Sequence, residues 1–344
     1  MPTASAPPGF TPGFFRSPFV PAPLLANPHA QTLFPQWHRA KGLPLERQSE
    51  TVMLADGDEI RLDLLLPDAP DPDAPMTLII HGLSGSSQSH YVLGLQTELS
   101  RLGWPSAAMN CRGAANPNRK LRAYHAGASD DVREVFEHLT AHFHRRIAIV
   151  GYSLGGSMTL KTAAELGDHP DLLGAVAVST PLHLGTCANR LDSGLSRIYR
   201  RHLLGELEVF WQEKAKYLRQ IGDTAAAARI DTCLTDAVQG SFWDFDNRLM
   251  APLHGFQDVH DYYARCSPGQ FLTAIKVPTL VIHAADDPFM HPSIIPTENR
   301  LSPAVHFELS PRGGHVGFIG GSTLKPEYYL EQRIPQFLKW LIRR

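Results

Sequence analysis

A serine with glycines two positions before and two after it is the first place in this chain where residue type and spacing imply chemistry. Gly151-Tyr152-Ser153-Leu154-Gly155 has the form G-x-S-x-G. A serine hydroxyl acts as a nucleophile only when it is exposed and a base can take its proton. A sharp strand-to-helix turn exposes it by forcing the serine into a strained backbone conformation, and the small flanking residues let neighbouring backbone pass close. The same turn sets the N-terminus of the following helix beneath the reacting carbonyl. The bare pattern also fits a glycine-rich turn without catalysis. The β-branched run Ile147–Val150 before it and the helix-forming stretch after it favour the catalytic reading.

Seventeen histidines compete for the role of base. Most of them, such as His142 and His144, sit on surface elements and need no function. His315 differs because it lies in Arg312-Gly313-Gly314-His315-Val316-Gly317-Phe318, a glycine-lined loop after the last predicted core strand. Glycines permit the backbone geometry that aims an imidazole back at a serine. Such a base needs a carboxylate to hold its tautomer. Val281 through Phe289 offers two, Asp286 and Asp287. We take Asp287 as the acid, with Pro288 fixing the chain after it, and Asp286 as a turn residue bonding local N–H groups. The resulting order, Ser153, Asp287, His315, differs from that of trypsin-type and subtilisin-type enzymes.

Rate in this chemistry depends on holding the oxyanion of the tetrahedral intermediate. One donor is expected from the Leu154 N–H, directly after the nucleophile. A second is expected from the loop His81-Gly82-Leu83-Ser84-Gly85, with the Leu83 N–H as candidate. His81 itself reads as a structural loop residue.

These groups sit at the ends of predicted strands. Thr51–Leu54 and Ile60–Leu66 read as strands around the turn Ala55-Asp56-Gly57-Asp58. Further strands are expected at Thr77–Ile80, Trp104–Met109, Ile147–Val150, Leu173–Ser179, Thr279–His283 and Val305–Leu309. Helical spacing appears over 89–102, 129–143, 154–166 and 326–342. The alternation predicts an α/β chain with a mostly parallel, doubly wound sheet of about eight strands. It stops between 182 and 270, where helical stretches at 196–221 and 223–238 and the aromatics Phe242, Trp243 and Phe245 suggest an inserted helical cap. The expected organisation is an N-terminal arm over 1–45, a core over 46–181 and 271–344, and a cap over 182–270. The proline-rich arm is expected to be extended, with a flexible first dozen residues.

Composition excludes several functional classes. Net charge is −2 and no basic stripe appears, so no nucleic-acid partner is expected. Arg197, Arg200 and Arg201 read as one solvated helix face. Cys111, Cys187, Cys233 and Cys266 are widely spaced without a CxxC pair, which suggests free thiols in a reducing compartment rather than zinc ligands or disulfides. The N-terminus lacks a signal-peptide pattern, and no stretch of eighteen apolar residues occurs. A cytoplasmic location is the expectation, with no membrane-spanning segment. No cofactor or metal is required by the serine chemistry.

Seven segments together carry a family resemblance: Asn27 to Thr32, His81 to Ser86, Asn110 to Gly113, Tyr124 to Gly127, Gly151 to Gly156, His283 to Met290, and Gly313 to Phe318. From about residue 15 to the C-terminus the chain resembles the YheT-like branch of the α/β-hydrolase superfamily, related to the eukaryotic α/β-hydrolase-domain lipases and esterases. The resemblance implies an α/β-hydrolase fold and carries nucleophile, acid and base onto Ser153, Asp287 and His315. It implies hydrolysis of a small-molecule carboxylic ester, of short to medium acyl chain or monoacylglycerol-like, with a place in lipid metabolism. One departure stands at Ser84, where the family usually has an acidic residue. Acyl transfer by the same triad and a non-catalytic scaffold are the alternatives. Dehalogenase and epoxide hydrolase chemistry would want an aspartate at position 153. Phe210, Trp211, Trp243 and Phe245 are candidates for an apolar pocket wall. The Asn27–Thr32 segment reads as packing of the arm, and Arg112 and Arg119 as structural salt bridges.

Overall fold

The computed structural model describes residues 10–39, 43, 45–235, 237–238 and 240–344. Its frame is a nine-stranded sheet. In chain order the strands are β1 (Gly13–Arg16), β2 (Gln48–Met53), β3 (Glu59–Leu65), β4 (Met76–Ile80), β5 (Ser106–Asn110), β6 (Ile147–Tyr152), β7 (Leu172–Val178), β8 (Thr279–Ala284) and β9 (Val305–Ser310). They lie in the order β1-β9-β8-β7-β6-β4-β5-β3-β2. β2 and β3 pair antiparallel, as do β3 and β5, while the remaining neighbours are parallel.

The helices that join the strands are α1 (Pro28–His38), α2 (His90–Arg101), α3 (Ser129–Phe143), α4 (Leu154–Leu166), α5 (Leu184–Leu191), α6 (Ser196–Gln220), α7 (Thr224–Leu234), α8 (Phe242–Phe245), α9 (Ala251–His254), α10 (Val259–Cys266) and α11 (Tyr329–Ile342). The central strands are apolar on both faces because helices cover both. In β4, Leu78 and Ile80 join the core formed with α3 and α4, while Ile79 joins the core formed with α2 and α11. In β6, Ile147 and Ile149 face the first of these cores and Ala148 and Val150 the second. This two-residue alternation is the pleat of a strand buried on both sides.

The mostly parallel sheet is as expected, and its ninth strand, beyond the eight read from the sequence, comes from the arm. β1 pairs parallel with β9, from Gly13 opposite His306 to Arg16 opposite Leu309. Residues 1–9 of the expected flexible stretch lie outside the described residues, but 13–16 are bound into the sheet edge. The arm also contains a helix, α1, where an extended path was expected. Its start is a standard one: the Asn27 side chain accepts from the N–H groups of His29 and Ala30, and Pro28 needs no N–H at the first helical position.

Between β7 and β8 the chain forms only helices among the described residues, α5 to α10. They bury a core of their own that includes Leu204, Trp211, Leu218, Ile230 and Phe245. A buried ionic cluster ties the β3 and β5 edge to α3. The Arg112 guanidinium donates to Asp131 at 2.6 and 3.0 Å and to Asp58 at 2.8 Å, so it is a structural ion pair. Arg119 lies 3.8 Å from Glu59 at the surface.

Candidate active site

Ser153 stands between β6 and α4 with φ 51° and ψ −117°. A residue with a side chain avoids this region, so the turn is strained, and the surrounding packing must hold it. The glycines explain how. A Cβ on Gly151 would lie 2.2 Å from the carbonyl oxygen of Gly155, and a Cβ on Gly155 would lie 2.5 Å from those of Ile80 and His81. The helix start is thus pressed against the exit of β4, and the Ser153 N–H is tied to the Val178 carbonyl at 2.8 Å.

His315 comes from the loop after β9. Its Nε2 lies 3.0 Å from Ser153 Oγ and its Nδ1 lies 2.8 Å from Asp287 Oδ2. An ionised carboxylate only accepts, so Nδ1 carries the proton and Nε2 faces the serine hydroxyl as acceptor. Asp287 is buried, and its second oxygen accepts from the Phe289 N–H at 2.8 Å. The Phe289 ring stacks on the imidazole, with centroids 4.1 Å apart and planes 8° from parallel.

The histidine loop is held by residues that the sequence reading did not assign to the site. Thr32 Oγ accepts from the His315 N–H at 2.9 Å and donates to the Pro28 carbonyl at 2.8 Å. Ser179 Oγ accepts from the Val316 N–H at 3.1 Å. Gln31 accepts from the Ile319 N–H and donates to the carbonyls of Leu25 and Ile319. The Asn27–Thr32 segment therefore packs the arm, as expected, and also braces the loop of the candidate base. Asp286 Oδ1 accepts from the Gly314 N–H at 3.0 Å. That corrects the local-turn role expected for it, since its partner is twenty-eight residues away in the histidine loop. Burial raises the Asp286 carboxyl above its usual range, against the pull of the loop N–H groups.

The two expected oxyanion donors line the same cavity as Ser153 and His315. Among the described residues neither the Leu83 nor the Leu154 N–H donates to a protein acceptor. The neighbours of Leu83 are fixed on both sides: Gly82 N–H donates to the Tyr91 hydroxyl at 3.0 Å and Ser84 N–H to the Tyr124 hydroxyl at 2.9 Å. Ser84 itself adopts φ 56°. His81 is structural, as expected. Its Nδ1 bonds the Gly82 carbonyl at 2.7 Å, its Nε2 accepts from the Cys111 N–H at 3.1 Å, and burial lowers its pKa to about 4.

The cavity above Ser153 has a volume of about 430 Å³. Phe210, Trp211 and Phe245 line it, together with Leu184 and Met250. Trp243 does not. It packs against Tyr263 and donates its indole N–H to Asn189 at 2.8 Å, which corrects its expected place in the wall. No cluster of three or more metal-ligating side chains occurs among the described residues, and none of their helices is long and apolar enough to cross a membrane.

A strained serine at the exit of a central parallel strand, facing a histidine from the last core loop, defines a class of fold. The family model for the alpha/beta hydrolase fold matches residues 76–322, and the chain belongs to that family. Within it the similarity is to the YheT-like branch, as the sequence motifs implied. The chain is 37% identical over 324 residues to "Putative esterase YheT" of Escherichia coli (strain K12), covering 93% of this chain and 92% of that one. It is 26% identical over 310 residues to the human protein named Phospholipase ABHD3, covering 87% and 73% of the two chains. Among solved structures, the esterase Pf2001 of Pyrococcus furiosus has the same fold, with a TM-score of 0.52 at 15% identity, covering 86% of this chain and 92% of that one.

Proposed function

We propose that the protein hydrolyses carboxylic esters through an acyl-enzyme intermediate, with Ser153 as nucleophile, His315 as base and Asp287 as the group that orients it. The observation that carries this reading is the hydrogen-bonded series Ser153 Oγ, His315 Nε2, His315 Nδ1, Asp287 Oδ2, with separations of 3.0 and 2.8 Å, opening onto a largely apolar cavity. Ser153 Oγ attacks the ester carbonyl while His315 Nε2 takes its proton. The N–H groups of Leu83 and Leu154 receive the oxyanion. His315 then gives the proton to the departing alcohol, and water repeats the sequence on the acyl-enzyme, releasing the acid. The apolar wall suits an acyl chain of short to medium length, and the helices over 182–270 act as its cap. The names of the relatives, an esterase and a phospholipase, support an ester substrate.

Ser153→Ala is the direct test. It is expected to abolish hydrolysis of a short p-nitrophenyl ester and to remove labelling by a fluorophosphonate probe, with folding retained by circular dichroism. Undiminished turnover in that variant overturns the assignment. Acyl transfer uses the same residues, and product analysis with added alcohols separates it from hydrolysis.

A further inference from the structure

The wall of the active-site cavity contains two carboxyl groups that the ester chemistry does not use, Asp246 in its interior and Glu206 at its rim. Asp246 sits where α8 gives way to a π-helical turn over Asp246–Met250, just before α9. Such wide turns are costly and concentrate at functional positions. Asp246 Oδ2 accepts from the Tyr263 hydroxyl at 2.6 Å, and Oδ1 has no hydrogen-bond partner among the described residues. The residue lines the same cavity as Ser153, so its remaining free surface opens there.

Its surroundings supply no countercharge. The cavity lining holds no lysine or arginine, and its second acid, Glu206, stands at the exposed rim with His202 3.4 Å away. The titratable groups around Asp246 are Tyr262, Tyr263 and Cys266 on α10, with Cys187 on α5 beside Tyr263. His125 and His202 also line the cavity. Burial without a cation pushes the Asp246 carboxyl up to about 7, and the Tyr263 hydrogen bond only partly opposes it. The rings of Tyr262 and Tyr263 stand beside it, Phe242 and Phe245 precede it on the same helical run, and Trp211 lines the same cavity. A carboxylate among aromatic faces is a site for an organic ammonium group, because ring quadrupoles and the negative charge attract the same cation, and a desolvated wall strengthens both. An anionic substrate is disfavoured by the same field.

We propose that Asp246 and the aromatic residues around it form a subsite for a cationic nitrogen, so that the preferred esters carry an ammonium or protonated amine. This rests on the ester-hydrolase reading of the same cavity. The test uses the full chain and a matched pair of substrates, butyrylcholine and its uncharged carbon isostere 3,3-dimethylbutyl butyrate. Above pH 7.5 the kcat/KM of the cationic ester is expected to exceed that of the isostere roughly tenfold. The ratio falls as pH drops through about 7, because protonation of Asp246 removes the charge. Titration of the catalytic base affects both esters alike and cancels in the ratio. In Asp246→Asn the ratio is expected to fall toward one, keeping only the contribution of the rings, and to lose its dependence on pH. A wild-type ratio at or below one, or the same pH-dependent ratio in the variant, overturns the proposal while leaving the hydrolase reading intact. Calorimetry with tetraethylammonium keeps the two readings apart without turnover or mutation. Binding that strengthens from pH 6 to pH 8 supports the subsite even if neither ester is cleaved, and absence of binding at pH 8 counts against it.

Discussion

At the scale of single residues, the two adjacent aspartates differ in which loop atom each one meets, and that difference supports Asp287 as the proposed acid. Asp287 reaches the imidazole Nδ1, and Asp286 reaches the backbone N–H of Gly314. Both touch the histidine loop, but only one touches the ring. Asp287→Asn keeps the shape and removes the charge. The amide then favours the wrong imidazole tautomer, and kcat is expected to fall by about 10⁴. Asp286→Asn keeps an acceptor for Gly314 and is expected to lose far less, about tenfold or under. Steady-state kinetics of the two variants on one ester check the order, and a larger loss at 286 than at 287 reverses the assignment of the acid. Ser153 and His81 show the same rule in other forms. Each is an ordinary residue type whose role follows from a strained turn or from two saturated ring nitrogens.

At the scale of elements, the geometry of the proposed triad depends on two junctions. The first is the tight contact of α4 with the exit of β4, which glycines at 151 and 155 alone permit. The second is the contact of α1 with the histidine loop. Through Thr32 and Gln31 the arm supplies acceptors for the N–H groups of His315 and Ile319. Thr32→Val preserves volume but leaves a partly buried N–H unpaired, at a cost of about 1–3 kcal/mol. Its kcat is expected to drop roughly tenfold with KM little changed, because the loss acts on the position of the base and not on ester binding. Thr32→Ser is expected to restore most of the rate. Equal kcat for the valine and wild-type proteins would reduce the arm to packing alone.

Over the whole molecule, ionisable groups buried on folding set the pH range of stability. Burial depresses His81, His90 and His254 from an ordinary 6.5 to about 4, and His125, His283 and His306 move in the same direction. The folded protein keeps these rings neutral where the unfolded chain protonates them, so the unfolded state binds more protons between about 6.5 and 4. The contribution of these rings is therefore full above 6.5 and is lost as pH falls toward 4, while Lys214, lowered by burial to about 7, adds a separate loss as pH falls from about 10.5 to 7. Asp63, lowered to about 2 with Ser87, Ser49, Asn110 and Arg61 as its donors, extends the loss below 3.8. Carboxyls raised by burial oppose the trend: Asp246, to about 7, and Asp131, Asp286 and Glu331 in the same direction. They are outnumbered by the histidines. Thermal unfolding midpoints are expected to fall steadily from pH 6.5 to pH 4, and a flat profile across that window would contradict this balance.

The sequence by itself determined the frame and pointed to the three residues of the proposed triad. Strands buried on both sides are continuous apolar runs, and helices on a sheet repeat their apolar positions every three to four residues, so β4, β6, β8, α3 and α4 were legible within a residue or two. The serine turn was legible because its backbone demands glycines at fixed offsets. The edge strand β1 was not, because four residues paired at a sheet margin need no apolar period. α1 was missed although Asn27-Pro28 marks a helix start, since the prolines around it masked the signal. Only the tertiary structure placed Thr32, Ser179, Tyr91 and Tyr124 behind the site and Asp246 in its wall. Hydroxyls and carboxyls acquire roles from partners far away in the chain, and no local spacing records those distances.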